Sequence, residues 1–319
     1  MERYILTANA KKAYTSLFSI ICSAFFLIPS IASACACGCG MFSVGMPGLG
    51  LATKTGVSIN LQTTFLDQNA ARQGNSKIPL NRSPDQRINS IFYNLNTQIQ
   101  FNRKWGMVAM IPFWQRSFTT NGNFGNGPAQ MISSNVNTLS DIRIMGEYTG
   151  FSPDMSIGLL FGLKLPTGTY TAPGFDRDTQ PGSGTTDLLL GGYKMGQELN
   201  WGWFVQGVVR SAISSRDGYR PGDSLQLVLG THYDALPYGH FHVTPMLRVN
   251  ATLRQADSGI YSSPSNTGLQ TVYLTPGILI SMGAHWRMNA NVYLPVYDHV
   301  HGVQLVPHQI VSVGITYSL

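Results

Sequence analysis

The stretch Phe241-His242-Val243-Thr244-Pro245-Met246-Leu247-Arg248-Val249-Asn250-Ala251-Thr252-Leu253 changes character at almost every step. Phe241, Val243, Pro245, Leu247, Val249, Ala251 and Leu253 share one parity; His242, Thr244, Met246, Arg248, Asn250 and Thr252 share the other. Successive side chains of a strand face opposite sides, so this segment builds one apolar wall and one largely polar wall. The pattern recurs. Trp286, Met288, Ala290, Val292 and Leu294 oppose Arg287, Asn289 and Asn291, and Leu225, Leu227 and Leu229 alternate with Gln226, Val228 and Gly230. Ile142, Ile144 and Tyr148 stand against Asp141, Arg143 and Glu147.

Composition shows where such strands live. Only 11% of the 319 residues are charged, against about a quarter in a soluble domain, yet mean hydropathy is close to zero. Apolar and polar residues are interleaved rather than scarce, as in a strand with one face in lipid and the other in a wet lumen. A helical membrane protein would carry apolar runs of about twenty residues. The one run approaching that length is N-terminal. Arg3, Lys11 and Lys12 form a basic region, Leu17 to Ile31 an apolar one, and Ala32-Ser33-Ala34 a small-x-small cleavage site, so residues 1–34 read as a signal peptide. A retained anchor, or a lipoprotein signal cut before Cys35, are the other readings of this segment. Removing 1–34 takes away three basic and one acidic side chain and lowers the net charge from +6 to +4. No run of like charges points to nucleic acid.

Twelve alternating segments follow, near 55–67, 87–101, 106–118, 139–150, 155–166, 185–199, 201–214, 223–235, 240–254, 267–280, 285–297 and 308–319. Short connections near 102–105, 151–154, 200, 236–239 and 282–284 alternate with long ones near 68–86, 119–138, 167–184, 215–222, 255–266 and 298–307. The expected fold is all-β: a transmembrane antiparallel up-and-down β-barrel of about 12 strands over 55–319, both termini on the short-turn side. A β-sandwich shares the alternation but not this asymmetry of loops. Tyr93, Trp105, Tyr148, Trp201, Trp203, Tyr233, Tyr238, Trp286 and Tyr317 are expected near strand ends, where amphipathic rings suit the headgroup level. Val311, Val313, Ile315, Tyr317 and Leu319 form an apolar stripe reaching the terminus. It resembles the C-terminal strand recognised by outer-membrane assembly machinery, with Leu in place of the usual Phe. Left open, such an edge would invite aggregation.

With the strands laid out, the chain resembles the outer-membrane barrels of the MetA-pathway of phenol degradation type. The resemblance rests on Gly162-Leu163-Lys164-Leu165-Pro166-Thr167-Gly168, Ser140-Asp141-Ile142-Arg143, Asp187-Leu188-Leu189-Leu190-Gly191, and the stretch from Leu294-Pro295-Val296-Tyr297 to Ser312-Val313-Gly314-Ile315. It implies a transporter in the outer membrane of a Gram-negative bacterium, carrying hydrophobic or aromatic compounds. Within the first motif, Pro166 ends a strand because it has no ladder donor, and Gly168 is expected to permit the turn.

Candidate functional residues are those of lumenal parity: Arg143, Glu147, Lys164, Asp187, Arg210, His242, Arg248 and Arg287, with Gln98, Gln100, Asp141 and Asp234 beside them. Lys164 is expected to pair with an acid of a neighbouring strand, Glu147 or Asp187, or else to meet substrate. Residues 35–54 form a Cys- and Gly-rich segment, a possible plug or periplasmic tail. Cys35, Cys37 and Cys39 there suit a disulfide, a lipid on Cys35, or a soft metal, with His232, His240 or His242 as a further zinc ligand. No other cofactor is implied. Lipids, small solutes and the assembly machinery are the expected partners. No Gly-x-Ser-x-Gly or zincin helix supports an enzyme. A passive channel for small molecules is the leading reading; a structural or metal-binding barrel and a lipid hydrolase are the alternatives.

Overall fold

The computed structural model describes residues 55–319, apart from 84, 123–129, 235, 239–240 and the side chains of 122 and 236–238. The signal peptide and the cysteine segment lie outside the described residues. In chain order the strands are β1 (Gly56–Gly74), β2 (Ser76–Lys77), β3 (Asp85–Gln100), β4 (Trp105–Gly122), β5 (Gln130–Leu139), β6 (Arg143–Tyr148), β7 (Ile157–Lys164), β8 (Asp187–Glu198), β9 (Trp201–Ala212), β10 (Tyr219–Arg220), β11 (Ser224–Tyr233), β12 (Leu236–Tyr238), β13 (Phe241–Arg254), β14 (Ser258–Gly259), β15 (Leu269–Met282) and β16 (Trp286–Ser318).

Pairing runs β11-β9-β8-β7-β6-β4-β3-β1-β16-β15-β13, and β13 pairs back to β11, so the sheet closes as a ring of eleven elements. All these ladders are antiparallel, which requires an even number of passes. The twelfth pass is inside β16. Its first arm pairs with β15 and its second with β1. The arms meet where Ser318 N donates to His285 O at 2.9 Å and Trp286 packs on Tyr317 at 4.7 Å. The chain reverses at Gly302, whose φ of 61° a residue with a Cβ adopts poorly. The long loop expected over 298–307 is therefore a tight turn: the alternation there is irregular, which hides the strand from a parity reading. The 119–138 loop likewise contains β5, paired to the upper half of β4.

The side-chain pattern is inverted relative to a soluble protein. Leu61 is 49% exposed and Gln62 beside it 4%, and Ile59, Phe65, Leu95, Ile111 and Phe113 are all exposed while Asn60, Asn94 and Asn96 are buried. An exposed apolar face around a closed ring is a lipid face. At the short-turn end, outward ring pairs Trp105–Tyr148 at 4.7 Å, Trp201–Tyr233 at 5.0 Å and Trp286–Tyr317 form a belt. Tyr93 departs from the expectation, pairing with Phe113 in mid-strand. Higher up, the exposed Arg87–Asp67 pair and the exposed Ser133, Asn135 and Asn137 of β5 end the apolar band. The β1, β3, β4 and β5 wall thus rises above the membrane level, whereas β6 to β9 stop near it.

The step between tall and short walls sets the position of the loop 165–186. Leu165 N donates to Ile142 O, and Gly182 N to Thr169 O at 2.7 Å, so the loop has a closed neck. Gly168 has no left-handed φ. It is glycine because a Cβ there would lie 2.8 Å from the Ser140 backbone, and one on Gly182 would lie 2.4 Å from Gly168. Gly168→Ala is expected to cost about 1–3 kcal/mol by overpacking and to loosen the loop, read as a lower urea midpoint and earlier protease cleavage within 169–182.

Candidate functional site

Inward parity carries Lys164, at the upper end of β7, toward the first residue of β8. Lys164 Nζ lies 2.8 Å from Asp141 and 3.1 Å from Asp187, and all three side chains are buried. Of the two expected partners Asp187 is engaged, and Asp141 joins it. Asp187 also accepts from Arg210 at 2.7 Å and from Thr185 Oγ1 at 2.8 Å. Asp141 accepts from Gly168 N at 3.1 Å and Ser183 N at 2.8 Å, which ties both sides of the loop neck to the same carboxylate. Glu147 does not reach Lys164. It sits one storey lower and accepts from Tyr193 OH at 2.6 Å and Gln98 Nε2 at 3.0 Å.

From this neck the loop crosses the lumen. Ala172 and Phe175 pack with Ala71, Ile88, Phe118 and Leu305. Leu305 belongs to the second arm of β16, well around the ring from β7. Gln180 holds the loop's shape, its amide bonded to Ala172 N, Ala172 O and Phe175 O at 2.8–3.0 Å. Arg116 lies against Trp114 at 4.6 Å and Phe92 at 5.8 Å, and donates to Thr179 O at 2.6 Å. On the other side Arg177 stacks over Tyr219 at 4.3 Å and Tyr170 at 5.1 Å, and Tyr170 OH accepts from Arg216 at 2.8 Å. Burial pulls the Arg177 guanidinium below its ordinary pKa, with Tyr219 and Asp217 opposing that; arginine remains charged throughout.

Tyr219 is in turn fixed by a second neck. Asp257 accepts from Tyr219 OH at 2.6 Å, Gly222 N at 2.8 Å and Arg254 at 2.6 Å, while β10 and β14 pair. The loops 213–223 and 255–268 are thereby locked together. Between these groups lies a small cavity, partly open to solvent, with Met110, Pro112 and Trp114 on one wall and Arg143, Arg177, Asp178 and Tyr219 among the others.

Of the residues expected from the sequence, Arg143, Lys164 and Arg210 line this cavity. Asp187 supports it from behind. Arg248 faces inward elsewhere, buried and bonded to Asn291 Oδ1, and Arg287 donates to Ser318 Oγ at the short-turn rim. His242 is exposed at that rim, so it is not part of a buried lumenal set. Cys35, Cys37, Cys39 and His240 lie outside the described residues. Among the described residues no cluster of three or more His, Cys, Asp or Glu side chains could hold a metal. Arg177 and Tyr219 are the functional side chains that parity misses, because loop residues have no strand period. Trp114, Arg116 and Phe118 share the inward parity of Met110, but their size disguises it.

No protein-family model matches the chain, and no curated protein matches it. Among solved structures the barrel is similar to an outer membrane channel from Pseudomonas putida F1: 12% identity, 86% of this chain and 99% of that chain, TM-score 0.65. Looser likenesses are the β domain of the Bordetella autotransporter BrkA (13%, 83% and 100%, TM-score 0.48) and the CymD monoaromatic hydrocarbon channel (9%, 83% and 89%, TM-score 0.44). At such identity the first likeness speaks to the fold, a barrel of the kind found in Gram-negative outer membranes.

Proposed function

We propose that this chain is a passive outer-membrane channel for small molecules, acting without catalysis. One observation carries the reading: a closed ring with a lipid-facing exterior encloses a largely polar inner wall, with Asn60, Gln62, Asn94, Asn96 and Gln98 all buried, and a loop that packs against that wall. The similar fold from Pseudomonas putida F1 is described as an outer membrane channel, which supports it. The motif resemblance favours apolar or aromatic cargo, and Met110, Pro112 and Trp114 give such a cargo a wall to pass along.

Purified protein inserted in a planar bilayer is expected to give discrete conductance steps, and vesicles containing it to admit small aromatic solutes faster than protein-free vesicles. A folded barrel giving neither would be structural. Release of fatty acid from phospholipid by the same preparation would instead favour a hydrolase.

A further inference from the structure

The buried inward-facing carboxylates among the described residues are all engaged. Asp141 and Asp187 face Lys164 and Arg210, Asp257 faces Arg254, Asp298 lies 3.5 Å from Arg72, and Glu147 is held by neutral donors. The cations are not matched in return. Among the described residues, Arg177, Arg248 and Arg287 have no carboxylate within ion-pair distance; their partners are Ser183 O, Asn291 Oδ1 and Ser318 Oγ. Arg248 is 4% exposed, its Nε has no hydrogen-bond partner, and Asn289 nearby on β16 also has an unpartnered amide. Arg177 Nη1 is buried without a partner as well, on the wall of the cavity beneath the loop.

The lining of that cavity holds five cationic side chains, Arg143, Lys164, Arg177, Arg210 and Arg254, against two carboxylates, Asp141 and Asp178. Outside the described residues the sequence contains a single carboxylate side chain, Glu2, within the expected signal peptide. Residues 35–54 contain none. Cations in excess of carboxylates in a narrow enclosure attract an anion from solution, since an uncompensated buried charge is costly. The cavity adds the second half of the specificity: a cation on one side and Met110, Pro112 and Trp114 on the other fit a carboxylate carried on an apolar body.

We infer that the lumen selects anions, and that its preferred solutes are small monocarboxylates with an apolar or aromatic body, met by Arg177 in the upper cavity and by Arg248 further along the wall. The inference rests on the channel reading and names its substrate class.

The test is the zero-current potential across a bilayer holding the full-length, processed protein under a KCl gradient, then with potassium benzoate replacing KCl. A potential of the sign for anion preference is expected, together with faster vesicle entry of benzoate than of benzyl alcohol or protonated benzylamine. The preference should fall severalfold in Arg177→Gln combined with Arg248→Met, with the variants' folding checked by heat-dependent gel mobility. Removing a buried cation that lacks a carboxylate does not oppose folding. Cation preference, or an anion preference unchanged in the double variant, would overturn the inference. If no conductance is seen, the channel reading fails first. The site is then judged by Trp fluorescence of the refolded barrel titrated with sodium benzoate; no change that depends on Arg177 sinks it too.

Discussion

Replacing residues 170–181 by Asn-Gly is expected to raise the single-channel conductance severalfold and to leave the barrel folded. The geometry of the neck makes the graft local. Gly182 N already donates to Thr169 O at 2.7 Å, and with two residues between them this becomes the closing bond of a two-residue β-turn, for which Asn-Gly is a preferred sequence. The Asp141 bonds to Gly168 N and Ser183 N lie outside the excised piece and remain. What disappears is the crossing itself: Phe175 against Phe118, Thr179 against Arg116, and Arg177 against Tyr219. Resistances along a channel add in series, so the narrowest zone sets the current, and in a barrel of about twelve strands there is little spare width. Stability should fall only modestly, because the apolar packing that goes with the crossing is partly offset by the entropy of a shorter loop. An unchanged conductance in a folded variant would place the constriction elsewhere. It would then implicate the lower wall, where Arg248 and its amide neighbours stand.

How much of this can be read from the residues alone depends on where parity applies. Phe241 to Leu253 behaves as its alternation requires, and so do the ends of the shorter strands, because each inward or outward choice there is enforced by lipid on one side. The start of the second arm of β16, residues 303–307, reads as part of a loop because it contains Gln304-Leu305-Val306-Pro307, four buried residues in a row with register shifts against β1. A bulge moves the side chains to a new parity, and a period-two reading stops there. The site divides in the same way. Lys164, Asp187 and Arg210 are legible as inward strand residues, and their mutual pairing follows from register. Arg177 and Tyr219 are not, because their positions come from two loop necks whose anchors, Asp141 and Asp257, act through backbone amides rather than through any sequence spacing. Gly168 is required for a different reason from the turn its motif suggests: its backbone is ordinary, and the closeness of Ser140 is what excludes a side chain.

Asp187→Ala is expected to be the most destabilising single substitution in the inner wall, about 3–5 kcal/mol by the measure of a broken buried ion pair. Asp187 is fully buried and lies between two cations, Lys164 at 3.1 Å and Arg210 at 2.7 Å. Truncation leaves Lys164 with Asp141, but Arg210 with only Ser224 Oγ and Gly222 O. Lys164→Met should cost less, since Asp187 keeps Arg210 and Thr185, and Asp141 keeps Gly168 N and Ser183. The double variant should fall short of the sum, because each change alone removes the same Lys164–Asp187 interaction. Urea titration of folding into phospholipid vesicles measures all three. The size of the loss also reports how wet the lumen is at this height. If water stands against Asp187, the pair behaves as an exposed one and the loss drops below about 1 kcal/mol. A full-sized loss means that the neck excludes water and that a solute passing it must part with its own hydration, which favours the apolar-bodied carboxylates over inorganic anions of the same charge.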